Sequence, residues 1–283
     1  MKRRHIEEKI MIAVMTASTL IILLTLLMII GTVFWKGLPA MNLDMISKTP
    51  RGGFYLGREG GVLNAIAGSL YLSLGAVILA AFMALPITLL LNSLLKKRRR
   101  AADLIRLVFD VMSGVPSIVF GALGFTVMIL LGLRVSLLAG MVTVSLLILP
   151  LTVRTIDESM RLVPADLLDS SYALGATRLE SALRVLLRQV LPAILTGLLV
   201  SLGRAIGDAA SILFTAGFTD HVPGSLFDPA ATLPLAIFFQ LSSPIPEVRE
   251  RAYASAFILT LLILFISLLA RMIMKRYSRH VVQ

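Results

Sequence analysis

Apolar residues gather into six long runs, near 10–34, 63–95, 107–133, 135–156, 191–218 and 252–274, and the charged residues fall mostly between them. Each run is close to or above the ~20 residues with which a helix crosses a hydrocarbon layer. Backbone in lipid must satisfy its own N–H and C=O groups, so runs of this length predict helices. The pattern predicts an all-α membrane protein with six transmembrane helices. The second run is longer than a bilayer needs, so part of it should tilt or project. Only Gly132-Leu133-Arg134 separates the third run from the fourth.

The balance of residue types fits this. The 283 residues are 57% hydrophobic, with a mean hydropathy of +0.91, against about 45–50% apolar in ordinary soluble domains. A basic start, Met1–Arg4, precedes the first run. That run exceeds the roughly 7–15 apolar residues of a signal peptide and no small-x-small cleavage site closes it, so a retained first helix is expected. The net charge of +11 does not form the continuous basic face of a nucleic-acid binder. Most of the 27 lysines and arginines lie in segments 1–9, 96–106, 151–190 and 271–283. The positive-inside rule therefore places those segments, and both termini, in the cytoplasm. Lys96–Arg100 reads as a topology anchor.

The outer segments look partly ordered. Within 42–61, Pro50, Gly52, Gly53, Gly57, Gly60 and Gly61 predict turns. Within 219–250, prolines surround Leu233–Leu241, an expected short interfacial helix.

Residues 159–190 form a polar loop between two apolar runs. Pro164 suits a helix start, and Ala165–Leu174 can form a helix with Leu167, Leu168, Ser171 and Leu174 on one side. Gly175 has the φ freedom to turn the chain. Thr177, with Glu180 three residues on, predicts a capping box for a second helix. Leu179, Ala182, Leu183 and Leu186 then make an apolar stripe. A helix lying on the membrane surface is the plainer reading; a docking helix that enters a partner's groove explains the mid-loop turn as well.

Two features sit inside apolar runs. Arg204 and Asp208, around Gly207, are four residues apart and predict opposite charges on one helix face, at membrane depth where ionisable groups are costly. The pair is structural, or each charge has a further partner such as a facing subunit or a translocated anion. Ser113-Gly114-Val115-Pro116-Ser117 should bend the third helix, for packing or for function.

Other chemistry has little support. There is no cysteine, and His5, His221 and His280 are scattered, so no metal site is expected. No GxxxxGK[ST] loop is present, so this chain is not expected to hydrolyse nucleotide or to be an enzyme. No internal repeat is visible, which counts against an inverted-repeat transporter.

The loop resembles the coupling loop of ABC transporter permeases, whose pattern is Glu-Ala-Ala, three residues, then Gly; here it reads Asp169-Ser170-Ser171, three residues, Gly175. Residues 114–124 (GVPSIVFGALG), 204–217 (RAIGDAASILFTAG), Ala173–Thr177 with Ala176 inside it, and Thr232–Leu235 resemble segments of the A-type permease subunits of phosphate transporters. The resemblance implies the type-1, MetI-like permease fold over 62–275, preceded by a first helix and outer segment over 1–61 and followed by a tail over 276–283. It implies phosphate import across a bacterial or archaeal cell membrane. It further implies a homologous second permease, a pair of ATPase subunits that bind ATP and Mg, and an extracytoplasmic phosphate-binding protein. Asp169, Ser170, Ser171, Ala173, Gly175, Ala176 and Thr177 would belong to the coupling loop, and Arg204, Gly207 and Asp208 to the pathway. Gly114, Pro116 and Ser117 would break the helix. The family usually has Glu at Asp208 and Pro at Ser211, and often a proline near Arg188. The last departure should lengthen the second loop helix.

Three rivals remain at this level. The same fold could carry another oxyanion or solute. A channel or ion-coupled transporter acting alone leaves the loop helices unexplained. An anchor for a signalling complex does not need Arg204 and Asp208 at membrane depth.

Overall fold

A computed structural model describes residues 2–51, 60–95 and 98–277. Gly52, Gly53, Gly57, Lys96, Lys97, His280 and most of the tail 276–283 lie outside the described residues.

The first helix, α1, is Lys2–Gly37. A single turn at Leu38–Ala40 leads to α2, Leu43–Ser47, where Asn42 Oδ1 accepts the Met45 N–H at 2.7 Å. The second long helix, α3, is Leu63–Leu89. Pro86 removes one backbone donor near its end, and the ladder widens into a π-turn over Leu90–Leu94. Next come α4, Arg99–Ser113, and α5, Ser117–Leu130. The central helix, α6, is Leu137–Arg161. The loop carries α7, Ala165–Ala173, and α8, Arg178–Ser181. A second π-turn, Ala182–Leu186, joins α8 to α9, Leu187–Gly207. A short α10, Leu233–Leu241, and α11, Pro246–Tyr277, complete the order.

Among the described residues four helices are long and apolar enough to cross a membrane: Glu7–Ala40, Leu63–Ser93, Leu137–Arg161 and Pro246–Met272. Two bent pairs, Arg99–Ser113 with Ser117–Leu130 and Arg178–Gln189 with Leu191–Gly207, bring the number to six if each is one span. The expected third run is thus two helices meeting at 100°. Gly114 ends α4, and Pro116 disfavours helical backbone at Val115. The second pair bends by 67° beside Pro192, which has no N–H for the ladder and crowds the carbonyl of Arg188. The loop helix therefore continues into the fifth span.

The expected fifth run, 191–218, also changes. Its helix stops at Gly207, and 210–216 form tight turns. From there to Thr232 the chain folds back onto two helices. At the start of α6 the orphan N–H groups of Leu137 and Leu138 donate to Asp228 O and Leu226 O, both at 2.8 Å, and Ser136 N–H donates to Thr215 O at 3.0 Å. On α3, Asn64 Nδ2 donates to Thr219 O at 2.6 Å and Ser69 Oγ accepts the Leu233 N–H at 2.8 Å. Gly68 lies against Ala231 O so closely that no methyl fits between them. Helix α10 has the expected bounds but is not laid on an open surface: Leu233, Pro234, Leu235, Ala236 and Gln240 are buried between α3 and α11.

The core is centred on α6. Two-thirds of its most apolar stretch is buried (67%), against none of the corresponding stretch of α1 (0%). Gly68, Leu72, Ala76, Ala80 and Ala84 recur every four residues on α3, all buried. Small residues on one face let α3 approach α6 closely. The approach is shape-specific: a methyl on Gly140 would come within 2.8 Å of Leu72 Cδ1. Helices α6 and α9 share a buried hydrogen bond, Thr152 Oγ1 to Ser201 Oγ at 2.8 Å. Helix α1 leans on α11 through Phe34 and Phe257, whose rings meet edge to face at 4.8 Å.

Candidate functional site

The loop is a helix–turn–helix built from local signals. Pro164, with ψ 134°, caps α7 at its start. Three carbonyls at its end find donors: Ser170 O from Leu174 N, Ser171 O from Ala176 N and Tyr172 O from Gly175 N, at 3.1, 3.2 and 2.9 Å. With Gly175 at φ +87° this is a Schellman ending. Thr177 then starts α8 with a full capping box: Glu180 N–H donates to Thr177 Oγ1 at 3.3 Å, and Thr177 N–H to Glu180 Oε2 at 2.9 Å. The Thr177 N–H and hydroxyl hold the Glu180 carboxyl below its ordinary pKa. Ser171 and Ser181 link the two helices by a hydrogen bond of 2.8 Å.

One side of this unit belongs to the core. Leu168, Leu186, Val190 and Ile194 pack with Val153, Ile156 and Met160 of α6. Its outer end is open and apolar: Leu174 is 90% exposed and Leu179 61%. Asp169, Ser170 and Ala173 are exposed beside them, and Ala176 is half-buried. Leu174, expected to share a side with buried Leu168, instead projects outward at the turn.

Arg204 and Asp208 were expected on one helix face, but they do not share one, and no ion pair joins them among the described residues. Gly207 ends α9 between them, and Asp208 takes extended backbone, φ −84° and ψ 129°. Its carboxylate accepts the Ser211 N–H at 2.8 Å and so starts the next turn, as Asp does at helix starts. Arg204 stays in the last turn of α9, where a cation suits the helix dipole. It is exposed and has no ion-pair or hydrogen-bond partner among the described residues. Val200, Gly203, Arg204 and Gly207 share one helix face, with Val200 54% exposed and nothing within 4 Å of a methyl built on Gly203. The face is open to whatever lies beside this subunit.

The break residues come close to this helix end. Gly114 and Pro116 are exposed and Ser117 is the first residue of α5. One turn into α5, a methyl on Gly121 would come within 2.7 Å of Ser211 O and 3.0 Å of Ala210 O. The fold thus sets the start of α5 against the turn that follows Asp208.

One cluster was not expected. Asp157, near the end of α6 and 5% exposed, accepts three hydrogen bonds. Arg106 donates from Nε at 2.8 Å and Nη2 at 3.0 Å, and Asn92 Nδ2 at 2.7 Å. The signal in the chain was Asn92 near the end of the second apolar run and Asp157 just past the fourth. Their separations of 65 and 51 residues hid the meeting.

Residues 84–283 match the family model described as "Binding-protein-dependent transport system inner membrane component". The chain is 31% identical over 279 residues to the phosphate transport system permease protein PstA of Xylella fastidiosa (strain Temecula1 / ATCC 700964), covering 97% of this chain and 95% of that one. It is 30% identical to the PstA protein of Pasteurella multocida (strain Pm70), covering 98% and 97%. In fold it is similar to a chain of the bacterial alginate ABC transporter crystallised with its pentasaccharide-bound periplasmic protein. That likeness has a TM-score of 0.68 at 15% identity and covers 96% of each chain. With these matches spanning the helices and the loop just described, the chain belongs to the binding-protein-dependent transport system inner membrane components: it is a multi-pass permease component of an ABC transporter, and not itself an enzyme.

Proposed function

We propose that this chain is one permease subunit of an ATP-driven importer of inorganic phosphate, working with a homologous second permease. The observation that carries the substrate is the likeness to PstA phosphate permeases over nearly the full chain. The loop 159–190 presents Leu174, Gly175 and Leu179 to one subunit of an ATPase pair, which binds ATP and Mg. An extracytoplasmic phosphate-binding protein docks on the opposite side. Arg204, on the open face of α9, supplies positive potential where an anion crosses a low-dielectric region. Gly207 keeps that face low, and Asp208 shapes the turn beside it.

The test is radiolabelled phosphate uptake into liposomes holding the complete complex, with ATP and loaded binding protein. ATP-dependent accumulation is expected, and no accumulation would overturn the substrate. A reporter fused after Arg100 should lie on the ATPase side and one after Gly57 on the other. A second reading is the same permease for another oxyanion. It is favoured by Asp208 and Ser211 where phosphate permeases usually have Glu and Pro, and competition by other oxyanions decides it.

A further inference from the structure

We propose that Arg106 and Asp157 are positioning residues of the transport cycle, carrying displacement of the loop helices into the bent pair α4–α5. The proposal rests on the reading of 159–190 as the loop that meets the ATPase.

Asp157 stands one turn before Arg161, the last residue of α6, and α7 begins at Ala165. Only Leu162–Pro164 separate them, so a push on α7 arrives at this turn. Helices α7 and α4 line opposite sides of one cavity of about 680 Å³, with Arg99, Ala102 and Arg106 on one side and Ala165 and Leu168 on the other. The short path from α7 to α4 therefore runs through the end of α6 and across the Arg106 fork.

The fork suits that task. Two parallel N–H donors on one carboxylate fix both distance and orientation, which a single point charge does not. Helix α4 packs chiefly on α6 and leaves Leu104, Leu107 and Val111 exposed. Little else holds its register. On the third side, Asn92 reaches Asp157 from the π-turn of α3, and its Nδ2 also donates to Thr88 O at 2.9 Å. That carbonyl is the one an α-helical Asn92 N–H would have taken, so the side chain holds the widened turn in place. From Arg106 the chain runs on through Gly114–Pro116 into α5, whose Gly121 sits against Ala210 and Ser211 beside the end of the Arg204 helix. A buried pair of this kind adds little net stability over apolar packing, so its value lies in register.

The experiment compares Arg106→Lys and Asp157→Glu with the unaltered chain in the reconstituted complex. Both variants keep both charges and strand no ion. Phosphate uptake and ATP hydrolysis are measured together, each per assembled complex. The expected result is a several-fold fall in phosphate moved per ATP hydrolysed, with hydrolysis itself retained. A purely structural pair would lower the yield of complex and leave that ratio unchanged, and an unchanged ratio overturns the proposal. The reading beneath it fails differently. If the ATPase does not co-purify with the unaltered chain, or the unaltered complex moves no phosphate, the loop or the substrate is wrong whatever Arg106 does.

Discussion

Ser171 and Ser181 share a hydrogen bond of 2.8 Å across the Gly175 turn, and Ser181 is only 1% exposed. The bond joins α7 to the start of α8 at the point where the loop leaves the core. Ser171→Ala leaves a buried hydroxyl without its partner, at a cost of about 1–3 kcal/mol. Removing both hydroxyls is nearly neutral by the same argument. The expected order in thermal unfolding is therefore Ser171→Ala below Ser171→Ala/Ser181→Ala, with the unaltered chain at or above the double variant. A double variant worse than the single one would show that the bond does not set the loop's angle.

Gly175 separates backbone strain from contact with a partner. Its φ is +87°, yet a methyl there meets nothing within 4 Å. Among the described residues nothing crowds the site, so the cost of Gly175→Ala is that of the left-handed backbone, about 1–2 kcal/mol. Asn tolerates that conformation better. If the turn faces the ATPase, Gly175→Val should weaken co-purification of the ATPase further than backbone strain alone. Equal ATPase recovery with Gly, Ala and Val at this position would mean the turn is not a docking point.

Arg204 and Asp208 act separately in this structure, so their variants should add rather than rescue each other. Arg204→Ala should assemble with at most the small loss of a helix-dipole contact, about 0.3–1 kcal/mol, and lose phosphate uptake. Asp208→Ala removes the acceptor of the Ser211 N–H and should cost about 0.5–2 kcal/mol in stability. The double variant should show both defects. Near-normal uptake per complex by Arg204→Ala would remove this arginine from the pathway.

Gly68 and Gly203 predict opposite outcomes for the same change. A methyl on Gly68 collides with Ala231 O, whereas one on Gly203 meets nothing within 4 Å. Gly68→Ala should destabilise by about 1–3 kcal/mol, and Gly203→Ala should be tolerated in the isolated subunit. If Gly203→Ala instead prevents pairing with the second permease, the open face of α9 is an interface. Melting of the isolated subunit and recovery of the pair distinguish the two.

How much of this was legible in the chain depended on distance along it. The turn at Gly175 and the capping box of Thr177 and Glu180 span a few residues, and the structure has them where the residue types indicate. The end of α9 was hidden by apolarity. Ile212, Leu213 and Phe214 extend the fifth run, but Ile212 is buried inside this chain's own core rather than in a span. Hydropathy cannot separate a lipid-facing residue from a core-facing one, so the apolar pattern carries the helix on through Asp208 and sets both charges on one face, whereas α9 ends at Gly207. The contact of Arg106, Asp157 and Asn92 depends on three helices meeting, and no local period reports it.

The segment from Asp208 to Leu233 binds α3 at Asn64, Gly68 and Ser69 and binds α6 at its first turn. Its backbone fills the space between them with no slack at Gly68. These contacts tie the segment to the starts of both helices. If they move together, the bending that alternating access needs is expected at the widened turn of Ala182–Leu186 or at Gly114–Pro116. The outer half of the subunit would then serve as a stator, with every hinge on the side of the loop or in the bent pair.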